Sequence, residues 1–289
     1  MFILSVVVVT MCIVTKKKHD FLSMKPADMH EVGLNRGVRA KLGVGDHAIV
    51  SDFPNNIDEV VEEVVDIYAD MPEGLHGNDW FNENKFELVD NYPLDYDYFD
   101  KTVFIGDSRT EGLLLYSGVA NLNGFCYKGL SLDKLKTDRS ITVKDRSGRF
   151  TCYEAIEITK YGSYYIMFGI NELGWSDFDI FIEYFNQLID KIISVNPRAV
   201  IYVESILPVT KSKSQSNSVF TKENVDTLNQ RLLDMCSSRG DVIYLDIASS
   251  VSDEEGYLKD EWTVDGVHCT ADACKKIIEY IRYHVYKKK

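Results

Sequence analysis

Between residues 98 and 289 the chain alternates two hydrophobic patterns. Short continuous apolar runs at 102–105, 124–128, 163–168, 199–206 and 241–246 have the length and the β-branched or aromatic content of buried strands. Between them, apolar positions recur at three- and four-residue spacing over 109–116, 153–159, 177–195, 222–238 and 271–286, which read as helices. The stretch 141–151, with Asp145-Arg-Ser-Gly148 at its middle, reads as a hairpin, and 211–217 as a polar loop. Alternation of this kind predicts an α/β fold in which a parallel sheet is covered by helices on both faces and joined by right-handed crossovers. No internal repeat is visible.

The first third of the chain follows neither pattern. Residues 1–14 are almost wholly apolar and run into Lys16-Lys17-Lys18. A helix of that length reaches about 21 Å against a hydrocarbon core of roughly 30 Å, so it is a marginal span that flanking lysines extend by snorkelling. The basic residues follow the apolar run and no small-residue cleavage site is present, which disfavours a cleaved signal. Residues 1–15 are therefore expected to be a signal anchor. The lysines by themselves would keep the following domain in the cytoplasm, and a buried strand or a mis-started reading frame are the alternatives. Residues 16–95 read as a linker, broken by Gly33, Gly37, Gly43 and Gly45. Within it, Ile57, Val60, Val61, Val64, Val65 and Tyr68 behind Asn56 and Glu59 mark an acidic amphipathic helix near 57–70. The catalytic segment is expected over 96–289.

Charge narrows the partners. The net charge of −13 and pI near 4.9 offer no basic face for nucleic acid. Residues 46–100 hold 16 acidic side chains against one basic residue, Lys85, so the rest of the chain is close to neutral. Six cysteines are present, one in the apolar run and five scattered beyond it without a Cys-x-x-Cys spacing, which indicates neither a disulfide framework nor a zinc site. With 45% hydrophobic residues the chain has ample material for a core.

Candidate chemistry concentrates where the first strand passes into a helix, across Gly106-Asp107-Ser108. This puts Ser108 at a carboxyl strand end beside a helix N-terminus, where ligands bind in open α/β sheets and where free N–H groups hold a developing negative charge. Ser108 is thus a candidate nucleophile. Alone, the triplet fits equally a loop whose Asp or Ser caps the next helix. Farther on, Gly169-Ile-Asn171-Glu172 follows another apolar run, and Asp265-Gly-Val-His268 precedes the last helix. Of the two histidines beyond residue 100, His284 sits in a helix running into lysines, whereas His268 lies in a Gly-containing loop; His268 is the candidate base. Cys269 beside it has the wrong adjacency for a nucleophile–base pair. No Gly-x-Ser-x-Gly elbow, phosphate loop or His-Glu-x-x-His is present, and Gly43-Val-Gly45 lacks the third glycine of a dinucleotide site.

Gly-Asp-Ser, then Gly-x-Asn-Glu, then Asp-x-x-His, in that order, resembles the SGNH (GDSL-type) serine hydrolases over roughly residues 98–286. The resemblance implies a three-layer α/β/α sandwich with a five-stranded parallel sheet, flavodoxin-like, and a metal-independent esterase that needs no cofactor. It implies Asp265 as the residue that orients His268, and an oxyanion hole built from the Ser108 N–H, the Gly129 N–H and the Asn171 amide, with Gly124 competing with Gly129. Glu172 departs from the commoner aspartate. Arg109, Glu172 and Trp175 are candidate substrate contacts, and Trp175 and Trp262 candidate stacking faces for a sugar ring. The expected substrate is a small acyl ester, acetyl above all, on carbohydrate. The alternatives are an O-acyltransferase acting on cell-surface glycan, a lipid esterase and a non-catalytic binding module. Family members often act outside the membrane, so the resemblance implies an extracytoplasmic side for the protein anchored by its apolar run; secreted and cytoplasmic placements stay open.

Overall fold

The computed structural model describes residues 77–89, 93–120 and 122–289. The apolar segment 1–14, the glycine-broken stretch and the acidic helix near 57–70 lie outside the described residues, and with them the anchor and most of the linker. Among the described residues no helix is long and apolar enough to cross a membrane.

After a short strand β1 (Phe86–Leu88), the first core strand is β2 (Thr102–Gly106), followed by helix α1 (Ser108–Tyr116) and strand β3 (Asn123–Cys126). Helix α2 (Cys152–Ile158), strand β4 (Ser163–Met167), helix α3 (Phe178–Val195) and strand β5 (Val200–Glu204) come next. Then follow α4 (Lys211–Ser216), α5 (Lys222–Arg239), β6 (Ile243–Leu245), α6 (Ala271–Tyr283) and β7 (Tyr286–Lys288). Five parallel strands form one sheet in the order β3-β2-β4-β5-β6. Counted from β2 this is the 2-1-3-4-5 order of flavodoxin-like folds, whose ligand crevice opens at the carboxyl ends of the first and third strands, here β2 and β4.

Strand alternation assigns the two faces. Val103, Ile105, Tyr164, Ile166, Ile201 and Val203 point to one side and join a single apolar core with α2, α3 and α5. Phe104, Tyr165 and Tyr202, matched in register, line the other, with the rings of Tyr165 and Tyr202 stacked at 4.2 Å between centroids. Helix α6 packs against α1. The helices are closed by the chemistry their sequences carry: Thr151 and Glu154 make a reciprocal capping box on α2, and Gly240 ends α5 in the left-handed conformation at φ 63°.

Three elements differ from the sequence expectation. The 141–151 hairpin is a loop with one bridge, Ile141 to Phe150, whose turn is forced by positive φ at Asp145 and Gly148. The polar loop 211–217 is largely helical, because Thr210 caps α4 by accepting from Lys213 N–H. The last helix stops at Tyr283, and Tyr286–Lys288 pairs antiparallel with Phe86–Leu88, Lys287 facing Glu87. The stretch 77–89, read from sequence as the end of a linker, is thereby built into the same unit as the catalytic segment. Asp79 fastens it, accepting hydrogen bonds from the hydroxyls of Tyr280 (2.8 Å) and Tyr286 (3.0 Å) and from Asp246 N–H (2.7 Å).

Candidate active site

Ser108 is the first residue of α1, directly above the carboxyl end of β2. Asp107 is the N-cap: its carboxylate accepts the Arg109 N–H at 2.8 Å, and the first helical N–H, that of Ser108, has no intrahelical acceptor. Burial pushes the Asp107 carboxyl up to about 6, against the pull of the Arg109 N–H and the nearby charges of Arg109 and His268. Gly106 is required here by space, since a Cβ would sit 2.5 Å from the Met167 carbonyl oxygen and closer still to the Thr110 hydroxyl.

From the opposite end of the chain, the loop before α6 brings His268 to this turn. Its Nε2 lies 3.0 Å from Ser108 Oγ, and its Nδ1 2.7 Å from Asp265 Oδ2. A carboxylate only accepts, so Nδ1 carries the proton and Nε2 is left as the acceptor for the serine hydroxyl. The loop holds itself. Asp265 Oδ1 accepts the N–H groups of Val267 (2.9 Å) and His268 (2.8 Å), while Thr263 donates to the His268 carbonyl (2.7 Å) and accepts from Gly266 N–H (3.1 Å). Burial tends to raise the Asp265 carboxyl, but those hydrogen bonds and the imidazole outweigh it and hold it at about 2.

The third contribution comes from the end of β4. Gly169 takes φ 144°, and a Cβ there would collide with Ile206, so the turn after the strand demands glycine. Asn171 follows, exposed, with one amide hydrogen donated to the Leu130 carbonyl at 2.8 Å; the amide is thereby oriented and its second hydrogen is uncommitted among the described residues. Gly129 is in the same loop as Leu130, exposed at φ 83°, with its carbonyl held by Lys134 Nζ at 3.1 Å. Its competitor Gly124 is inside β3, where a Cβ would strike Leu114; its role is to let α1 approach the sheet. Ser108, Gly129 and Asn171 thus sit on loops at the carboxyl ends of β2, β3 and β4, the two sides of the topological switch.

Residues 104–276, more than half of the chain, match the sequence model of the GDSL-like lipase/acylhydrolase family. The chain belongs to that family. No match is found among curated proteins. Among solved structures this acylhydrolase is similar to a GDSL-like lipase from Bacteroides thetaiotaomicron VPI-5482, at 14% identity over 66% of this chain and 90% of that one, with a TM-score of 0.48. It is similar too to a carbohydrate esterase family 3 protein from Talaromyces cellulolyticus, at 17% identity, 63% and 94% coverage and a TM-score of 0.46. A peptidoglycan O-acetylesterase is a further likeness, at 14% identity, 55% and 44% coverage and a TM-score of 0.43.

Two candidates of the acylhydrolase, Arg109 and Glu172, are placed differently from their sequence reading. Arg109 does not face a substrate: its side chain is 4% exposed and donates from Nη1 to the Leu207 carbonyl and from Nη2 to that of Pro208 at 3.3 Å. It ties the turn at Ser108 to the loop after β5, whose Thr210 N–H in turn reaches the Gly266 carbonyl at 3.1 Å. Glu172 is fully buried and is not a substrate contact. Its Oε1 accepts Leu132 N–H at 2.9 Å and its Oε2 has no partner among the described residues, and burial pushes its carboxyl up to about 8. Together Asn171 and Glu172 clamp the loop that carries Gly129. Trp175 is half-buried and lies edge-on to Tyr184 at 6.0 Å. The face of Trp262 is taken by Lys259 Nζ, 4.7 Å from the ring centroid. Cys269 is mostly buried with its thiol pushed up by that burial, and His284 is buried with Nδ1 on the Tyr280 carbonyl at 2.7 Å. Thr263 was not visible from sequence. A threonine between Trp262 and Val264 carries no motif, and only the closed loop shows what it holds.

Proposed function

We propose that this acylhydrolase is a serine esterase that removes small acyl groups, acetyl above all, from carbohydrate through an acyl-enzyme on Ser108. The observation that carries the proposal is the unbroken hydrogen-bonded chain from Ser108 Oγ through His268 to Asp265. In this reading Ser108 attacks the ester carbonyl as His268 Nε2 takes its proton, and Asp265 stabilises the imidazolium. The N–H groups of Ser108 and Gly129 and the free amide hydrogen of Asn171 face the oxyanion, each such donor being worth about 10²–10³ in turnover. His268 returns its proton to the leaving alcohol, and a water activated by the same nitrogen releases the acid. Small acyl groups are favoured because the loops that carry Gly129 and His268 expose mainly polar side chains, Lys128, Asp133, Lys134, Asp260 and Glu261 among them, where a long chain needs a broad apolar surface.

A fluorophosphonate probe is expected to label Ser108, and Ser108→Ala to abolish both labelling and acetyl-ester hydrolysis; full activity in that variant refutes the assignment. A second reading, an esterase for longer acyl chains, rests on a cavity of about 380 Å³ at the β3 edge, whose lining holds Leu114, Leu115, Leu122 and Phe125 beside the polar Thr142 and Lys144, with Glu111, one helical turn from Ser108, on its wall. Chain-length profiling separates the two. Acetyl esters turned over at least about tenfold faster than octanoyl esters, about 1.4 kcal/mol, support the first, and activity climbing through eight carbons supports the second. We further propose that residues 1–14 anchor the protein outside a membrane; fractionation and external protease access, with and without that stretch, test this.

A further inference from the structure

A second concavity adjoins the oxyanion loops and is not used by the chemistry above. Its volume is about 320 Å³, and its walls are Asp133, Trp175, Ser176, Asp177, Ile180 and Tyr184. One residue sets both sides of it. The Glu172 carboxyl holds Leu132 N–H, next to Asp133, and the Glu172 carbonyl accepts Trp175 N–H at 2.9 Å. Because Asn171 and Glu172 are neighbours, the concavity is built from the same two loops that present Gly129 and Asn171. A ligand lying in it is fixed relative to the oxyanion donors.

The lining specifies the ligand's chemistry. Trp175 and Tyr184, crossed at 72°, and Ile180, 45% exposed, offer flat apolar surface. Asp133 uses Oδ1 to accept from Ser131 Oγ at 2.5 Å and Asp177 uses Oδ1 to cap α3 at 2.8 Å, so each keeps its Oδ2 uncommitted among the described residues. An aromatic face rimmed by hydrogen-bond acceptors matches a pyranose, whose ring face is C–H and whose edge is hydroxyl. No basic side chain lines the wall, and two carboxylates there repel anions.

We propose that this concavity is a subsite for a neutral sugar unit next to the one that carries the acyl group, so that the enzyme acts on acylated oligosaccharides in preference to acylated monosaccharides. The proposal rests on the esterase reading above and names its substrate class further. It is tested with the full chain on acetylated neutral xylo-oligosaccharides of one to four units, with 4-nitrophenyl acetate as reference ester. The wild type is expected to show kcat/KM at least about tenfold higher on the tetrasaccharide than on the monosaccharide. Trp175→Ala, which removes the face, and Ile180→Arg, which fills the concavity from its exposed wall without touching the core, are each expected to bring that ratio to about one. A wild-type ratio of one overturns the subsite while leaving the esterase reading standing if 4-nitrophenyl acetate is cleaved. A ratio that survives in both variants overturns it as well, and absence of hydrolysis of every ester overturns both readings.

Discussion

Two loops meet at Ser108 and are held by opposite means. The turn 107–109 is part of the interior: Asp107 and Arg109 are buried, glycine is forced at 106 by the neighbouring strand, and Arg109 reaches across to two carbonyls about a hundred residues away. The loop 263–268 is half in solvent, with His268 and Asp265 side chains 44% and 49% exposed, and most of its hydrogen bonds run among its own six residues, with Thr210 N–H on the Gly266 carbonyl and Ser108 on His268 as the links outward. Ser108, the proposed nucleophile, is positioned by packing and His268, the proposed base, by local hydrogen bonding. Changes in the turn therefore act on stability and chemistry together, whereas changes in the loop act on chemistry with the fold left intact.

The largest effect expected is the cleanest separation of the two. His268→Ala should lower acetyl-ester turnover by at least about 10⁴-fold while melting within about 2 °C of the wild type, and Asp265→Asn should lower turnover by less. A large loss of melting temperature in His268→Ala would show that the loop is not self-contained. Arg109→Met should lower stability and turnover together. Leaving the Leu207 and Pro208 carbonyls without a buried donor costs about 2–3 kcal/mol, a fall of roughly 5–10 °C measured by calorimetry, and a wild-type melting temperature would break the comparison.

A smaller effect probes the buried side alone. Glu204, at the end of β5, is fully buried with neither carboxyl oxygen partnered among the described residues, and burial raises its carboxyl to about 8. With the folded pKa raised, the protonated acid favours the fold at low pH, and this stability drains away from the ordinary carboxyl value up through about 8. Glu204→Gln, neutral at all pH, should stabilise by about 1 kcal/mol or more at pH 8.5 and by little at pH 5, read as melting temperatures at the two values. Asp265 has the opposite sign. Its folded pKa is depressed, so its contribution is complete above the ordinary carboxylate value and lost only as pH falls through about 2. As pH falls from about 4 towards 2 the wild type should therefore lose melting temperature relative to Asp265→Asn, and a difference that stays constant over that range would show that the Asp265 carboxyl is not held down in the folded protein.

Much of the layout was legible along the chain. Apolar runs bounded by glycine and helices behind Ser, Thr or Asp gave strands β2 to β6 and the long helices within a few residues, because buried parallel strands are continuous apolar runs and helix caps are local chemistry. The hairpin, α4 and the end of α6 were misread for a shared reason. A single bridge, a six-residue helix and a three-residue edge strand carry too few residues to show a period, and the edge strand also depends on a partner distant in sequence. β7 exists because Phe86–Leu88 lies beside it, and neither segment looks like a strand on its own.

For the site, sequence alone determined which residue types were present and in what order: Ser108 at a strand-to-helix turn, Asn171 after another strand, Asp265 three residues before His268. It also determined that glycine stood at 106 and 169, though not why. Only the tertiary structure decided the direction in which each side chain points. A charged residue beside a nucleophile looks the same in sequence whether it meets solvent or the interior, and Arg109 and Glu172 both turned inward because carbonyl and amide partners from other segments were waiting there. Orientation is set by long-range packing and hydrogen bonding, which one-dimensional spacing does not encode. The order of motifs is local chemistry, which it does.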